Sequence, residues 1–191
     1  MKKFILMAAM VFASVASFAQ QPVGTFSIQP KVGISIAELT DNSGDARIGV
    51  LAGAEAMYQA TDIFGISVGA IYQQQGIKSD NATLKLDYVN VPILANVYVV
   101  KGLAVKLGIQ PGFNVNNEMK YSNSTVSGSV NVKDTELGAK SVDLSIPVGL
   151  SYEFSNVVLD ARYNWGVTKA MKVYDSKNSV FQFTVGYKFT L

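Results

Sequence analysis

The chain has 191 residues, with 16 lysines and arginines, 14 aspartates and glutamates, and neither cysteine nor histidine. Without cysteine it forms no disulfide and carries no lipid on a cysteine thiol. Without histidine it lacks the usual side chain of serine–histidine triads, of many metal sites and of acid–base catalysis near neutral pH.

Residues 1–19 have the organisation of a secretory signal peptide. Lys2 and Lys3 precede an apolar run that reaches about Ala16, and small residues follow at Ser17 and Ala19. The run is shorter than the roughly 20 residues that a membrane-spanning helix needs, so we predict cleavage after Ala19 instead of anchoring. Loss of the two lysines would leave a formally neutral chain, which gives no reason to expect binding to nucleic acid.

The rest of the chain, residues 20–191, alternates between apolar and small or polar residues in eight stretches. In chain order they are 28–36, 48–58, 64–72, 89–99, 103–115, 142–154, 157–167 and 181–191. A period of two is typical of β-strands with two unlike faces. The connections are alternately short (59–63, 100–102, 155–156) and long (39–46, 79–83, 116–141, 169–180), as in outer-membrane barrels with short periplasmic turns. We therefore predict an all-β fold, a closed antiparallel transmembrane β-barrel of up-and-down topology.

The polar face of these strands is predicted to point inward. Soluble barrels such as lipocalins have the same alternation with the faces reversed. Ten strand glycines lie on the polar face, and the crowded interior of an eight-stranded barrel calls for small residues, whereas a surface in water does not. Aromatic residues cluster near strand ends on the apolar face, as they do at the two lipid–water boundaries of membrane barrels.

Four prolines inside the predicted strands fit this interpretation poorly. They are Pro30, Pro92, Pro111 and Pro147. Each removes a hydrogen-bond donor from the ladder, so we expect bulges or similar irregularities at these positions.

Several stretches resemble the PorT-like outer-membrane β-barrel family, whose architecture is similar to the small OmpA and OmpX barrels. They are residues 69–78, 86–99, 159–168 and 185–191. The resemblance implies a barrel in the lipid of a Gram-negative outer membrane, and some family members are linked to protein secretion. The last strand also resembles the signal read by the barrel insertion machinery, with Thr184, Gly186, Phe189 and Leu191 at its positions. Leu191 stands where that signal usually has an aromatic residue.

Seven charged residues share the inward face and are the only candidates for chemistry. They are Lys31, Glu55, Lys106, Glu153, Asp160, Arg162 and Lys188. On paper the three carboxylates could supply the acid–base pair of a glycosidase. Because the interior is narrow, we interpret the seven instead as a network of ion pairs that plugs the lumen.

Strand heights predict the partners within this network. Counted from the short turns, Lys31 is level with Glu55, and Asp160 is level with Lys188. Lys106 is predicted to lie near Glu153, while Arg162 reaches Glu55 or Asp160 across the lumen.

The connection 116–141 is the longest and is rich in serine, asparagine and glycine. It is either a contact surface for proteins, phage or carbohydrate, or a solvated loop whose alternating residues 125–132 extend the hairpin. The sequence thus predicts a non-enzymatic outer-membrane protein without cofactor or metal, in a structural or surface-interaction role. A small-solute channel, or an accessory component of a secretion system, remains the alternative.

Overall fold

The computed structural model describes residues 21–39, 45–79, 82–122, 127–131, 140–169 and 177–191. Within these ranges all regular structure is β-strand. No helix in them is long and apolar enough to cross a membrane. The predicted signal peptide, residues 1–19, lies outside the described residues.

The described residues form strand segments that we number in chain order. They are β1 Phe26–Leu39, β2 Asp45–Gln59, β3 Phe64–Ser79, β4 Ala82–Asn90, β5 Ile93–Val100, β6 Leu103–Ser122, β7 Ser127–Asn131, β8 Val142–Phe154, β9 Val157–Lys169, β10 Lys177–Tyr187 and β11 Phe189–Thr190.

These segments build a closed, eight-stranded antiparallel barrel, as predicted. Strands β4 and β5 follow one another as a single barrel strand, as do β10 and β11, while β7 pairs only with β6. The barrel closes because β1 pairs with β2 along one edge and with β10 and β11 along the other. Among the described strands, closure leaves no open sheet edge around the barrel, which is what a β-structure in hydrocarbon requires.

The predicted strand 89–99 is broken at Val91 and Pro92, which separate β4 from β5. Proline has no N–H to give to the ladder, so a continuous strand would lose a bond there. The Pro92 carbonyl still accepts a hydrogen bond from the Gly69 N–H at 3.0 Å, and the Val91 N–H donates to the Pro111 carbonyl at 2.8 Å. The break therefore removes few backbone hydrogen bonds from the barrel. The other three prolines, Pro30, Pro111 and Pro147, lie inside β1, β6 and β8.

Several strands continue beyond their predicted ends on the side of the long connections. Strand β3 runs to Ser79 instead of residue 72, β4 begins at Ala82, and β6 runs to Ser122. There β6 pairs with β4 on one side and with β7 on the other. Within the described part of 116–141, residues 127–131 thus extend the hairpin, and this pairing leaves the contact-surface interpretation open. A strand that has left the lipid no longer needs an apolar outer face, so the alternation ends before the strand does.

The outer surface of the barrel is apolar and the interior is polar. Outward side chains such as Leu150 and Phe183 are about half exposed, at 51 % and 49 %, whereas charged and amide side chains are buried inside. Two aromatic pairs, Phe26–Tyr58 and Tyr187–Phe189, lie on the outer surface near the short turns, and a third, Tyr163–Phe181, lies at the middle of β9. The apolar face therefore points to lipid, with aromatic rings at its margin near the short turns.

Candidate functional site in the barrel interior

The barrel places all seven predicted charged residues inside. Each is between 2 and 4 % exposed. Charged groups taken out of water are costly unless they are paired, so their partners decide what the interior can do.

Five of them form what we call the central cluster: Lys31, Glu55, Lys106, Asp160 and Arg162. Lys31 Nζ lies 2.9 Å from Glu55 Oε2 and 3.7 Å from Asp160 Oδ2. Lys106 Nζ donates to Asp160 Oδ2 at 2.6 Å and lies 4.0 Å from Glu55 Oε2. Two carboxylates thus lie among three cations. Their ion pairs link the four strands that carry the cluster, β1, β2, β6 and β9.

Arg162 on β9 contacts two carboxylates and so connects separate strands of the barrel across its interior. Its Nε and Nη2 donate to the two oxygens of Asp160, both at 2.7 Å, in the forked geometry typical of a guanidinium on a carboxylate. Nη2 also lies 2.7 Å from Glu55 Oε1 on β2, which is separated from β9 by β10 and β1. This contact spans the lumen.

Two glycines make room for the cluster. A Cβ on Gly149 would lie 2.7 Å from Arg162 Cγ, and a Cβ on Gly69 would lie 2.6 Å from Glu55 Cγ. Both distances are too short for carbon atoms that are not bonded, so any larger residue would displace the charged side chain. The inward glycines of the sequence thus have a specific use at these two positions.

The remaining pair lies nearer the short turns. Lys188 Nζ bonds to Glu153 Oε2 and lies 3.5 Å from the Tyr98 hydroxyl. Tyr98 packs with Met57 and Ala104 in a small buried apolar group at this level.

Two predicted partnerships are wrong: Asp160 does not pair with Lys188, and Lys106 does not pair with Glu153. In the ladder Asp160 faces Thr184, which is four residues from Lys188, or about 13 Å along the strand. Lys106 faces Gly149, which has no side chain, and reaches past it to Asp160 on β9. Counting residues from the turns ignores the stagger between strands. Because of this stagger, Lys106 pairs with Asp160 and Lys188 pairs with Glu153. The predicted pairing of Lys31 with Glu55 and the reach of Arg162 are both present.

An amide layer, which the sequence analysis missed, lies between the central cluster and the long connections. Gln73 Oε1 on β3 accepts hydrogen bonds from Asn90 Nδ2 at 2.7 Å and from Gln182 Nε2 on β10 at 2.6 Å. The second bond joins strands separated by β1 and β2, so it also spans the lumen. The inward positions of these amides in the alternating pattern could have identified them, but the prediction considered only charged side chains.

Two further carboxylates, also missed, lie toward the long connections. Asp143 accepts hydrogen bonds from Thr168 Oγ1 at 2.6 Å and Asn178 Nδ2 at 2.8 Å. Asp87 lies 3.8 Å from Arg47 Nη1 and accepts a hydrogen bond from the Tyr72 hydroxyl at 3.0 Å. Both acids are thus held by neighbouring side chains.

The residues of the predicted insertion signal divide between the two faces. Thr184 is 6 % exposed inside the barrel, whereas Phe189 and Leu191 are 52 % and 77 % exposed on the outside. Gly186 is paired with Lys31 in the ladder between β1 and β10. Recognition by the insertion machinery remains a prediction.

A closed barrel with an apolar exterior and an ion-paired interior defines a class, the outer-membrane β-barrel proteins. The profile of the family described as outer membrane protein beta-barrel domain matches residues 18–172, and the chain belongs to that family. A comparison with curated protein sequences found no match.

Solved structures show the same fold at low sequence identity. Ail of Yersinia pestis, in complex with the heparin analogue sucrose octasulfate, is 17 % identical over 88 % of this chain and 100 % of its own, with a TM-score of 0.55. Neisserial surface protein A is 18 % identical over 86 % of this chain and 97 % of its own, with a TM-score of 0.53. The family places the protein in the outer membrane.

Proposed function

We propose that the protein is a non-enzymatic outer-membrane barrel with a structural or surface-interaction role, and that side chains plug its lumen. The observation that carries the plug is the contact of Arg162 on β9 with Glu55 on β2, which crosses the interior. The bond from Gln182 to Gln73 crosses it again at another level.

The carboxylates support a structural interpretation better than a catalytic one. A glycosidase pair needs two carboxyl groups on either side of a substrate. Glu55 and Asp160 are instead both bound by Arg162, and Glu153 is bound by Lys188. All three are at most 3 % exposed, which leaves little access for a sugar.

For the surface role we propose contacts with proteins or carbohydrates through residues 116–141. The extended strands β3, β4, β6 and β7 support this proposal, since they carry a sheet beyond the barrel on the side of the long connections. The solved complex of Ail with a heparin analogue is a further reason to test sulfated carbohydrate first.

The test replaces residues 120–139 with a short Gly/Ser linker and measures binding of folded protein to immobilised heparin. We expect at least a tenfold loss of binding with the barrel still folded, because β6 keeps its pairing with β8 and most of its pairing with β4. A Gly/Ser segment of the original length is the matched control for loop size. Absence of heparin binding by the unaltered protein, or full binding by the shortened variant, would contradict the carbohydrate contact.

The finer assignment to the PorT-like family is also a proposal, supported by the stretches 69–78, 86–99, 159–168 and 185–191. Membership of that family would favour a second candidate function, that of an accessory component of protein secretion. A small-solute channel is the other alternative to a surface role. Loss of secreted proteins from a deletion strain, restored by the gene, would favour the secretion role over a surface role.

Export and insertion complete the proposal. We infer that the signal peptide is removed after Ala19, so that the mature chain is residues 20–191, and that Thr184, Gly186, Phe189 and Leu191 are read by the insertion machinery. The intact mass of the protein from outer membranes tests the cleavage site directly.

A further inference from the structure

The central cluster carries one more positive than negative side chain. Its cations are Lys31, Lys106 and Arg162, and its carboxylates are those of Glu55 and Asp160. The pair Lys188–Glu153 is balanced and leaves this excess unchanged. Asp143 on β8 does not offset it, since it lies six residues, or about 20 Å, from the Gly149 level at which Arg162 stands.

One nitrogen of Arg162 is buried without a hydrogen-bond partner among the described residues. Nε and Nη2 are occupied by Asp160 and Glu55, but Nη1 has no hydrogen-bond acceptor, although Arg162 is only 3 % exposed. The residue that faces Arg162 on β8 is Gly149, which has no side chain to accept the bond. A buried, charged donor without an acceptor is costly, so a ligand that supplies one would be held firmly.

A second donor stands on the same strand face. Asn164 is 2 % exposed and follows Arg162 by two residues, which is one step along the inward face of β9. Neither polar atom of its amide has a hydrogen-bond partner in the part of the chain that the structure describes, and Asn164 faces Pro147, which offers no side-chain acceptor.

From these observations we propose that the lumen binds one small monovalent anion, of the size of chloride, between Arg162 Nη1 and Asn164 Nδ2. The anion neutralises the single excess charge of the central cluster and accepts hydrogen bonds from Arg162 Nη1 and Asn164 Nδ2. One unit of excess charge calls for a monovalent ion, and the narrow interior calls for a small one. The site concerns the lumen alone and does not depend on the proposed surface role.

The test measures thermal unfolding of the detergent-folded barrel in sodium chloride and in sodium gluconate at equal ionic strength. Gluconate is too large for the interior, so the comparison separates binding from screening. At ten times the dissociation constant, chloride is expected to raise the unfolding midpoint by about 3–6 °C, saturating with concentration.

Variants locate the effect. Arg162→Met removes both the donor and the excess charge and is expected to abolish the difference between the salts. Asn164→Leu leaves the ion pairs in place and should weaken the dependence of the unfolding midpoint on chloride. This variant tests the site even if Arg162→Met does not fold. Lys101→Gln in the turn between β5 and β6 removes a positive charge outside the lumen and should leave the difference intact.

Crystals grown in bromide give the direct readout, with an anomalous peak expected beside Arg162 Nη1. A water molecule there without anomalous signal, together with equal midpoints in the two salts, would overturn the proposal.

Discussion

Replacement of Asp160 by asparagine is expected to lower the free energy of unfolding of the barrel by about 3–5 kcal/mol, the usual cost of removing one partner from a buried ion pair. The change keeps the shape of the side chain but leaves Lys31, Lys106 and Arg162 facing Glu55 alone. Urea titration in detergent, followed by the fluorescence of Trp165, the only tryptophan, measures the loss.

The control for this prediction is Asp62→Asn, because Asp62 is exposed in the turn between β2 and β3. It removes the same charge from a site in water and should change stability by less than about 0.5 kcal/mol. If Asp160→Asn cost no more than this control, the central cluster would contribute nothing to holding the barrel together.

An arginine at position 150 is expected to cost about 2–4 kcal/mol, as charged residues do near the middle of the lipid-facing surface of membrane barrels. Leu150 is 51 % exposed on the outer face of β8 and pairs with Ala161, directly beside the central cluster. Equilibrium refolding into lipid vesicles, compared between Leu150→Arg and the unaltered chain, gives the difference.

Phe154→Arg is the matched control, on the same face of the same strand but at its end. Its exposed fraction is 53 %, nearly that of Leu150, so the two sites differ mainly in height along the barrel. Near the lipid boundary the cost falls to about 0–1 kcal/mol. Equal costs at the two positions would mean that this surface does not face the hydrocarbon.

The strands and the identity of the inner face could be predicted from sequence because one physical rule acts along each strand. Lipid requires apolar side chains outside, and the narrow interior takes glycines and polar groups. Strand β8 therefore matches its predicted range, 142–154. Beyond the lipid, the outer face of a strand need not be apolar. The alternating pattern therefore does not predict the extensions of β3 and β6.

Partners across the lumen could not be predicted in the same way, since they depend on stagger and on contacts distant in sequence. Thr184, not Lys188, stands level with Asp160. Gln73 and Gln182 are 109 residues apart, and nothing local in either strand indicates their hydrogen bond. Sequence thus placed seven charged side chains inside and missed Asp87 and Asp143, while the closure of the barrel decided which of them meet.

Conductance across a planar lipid bilayer tests the central proposal, a lumen plugged by side chains, most directly. The folded protein should produce no steady ionic current at either polarity of voltage, because the contacts of Arg162 with Glu55 and of Gln182 with Gln73 cross the interior. A porin added to the same membrane afterwards shows that the bilayer can report open channels. Reproducible current steps from the protein alone would contradict the plug and favour the small-solute channel.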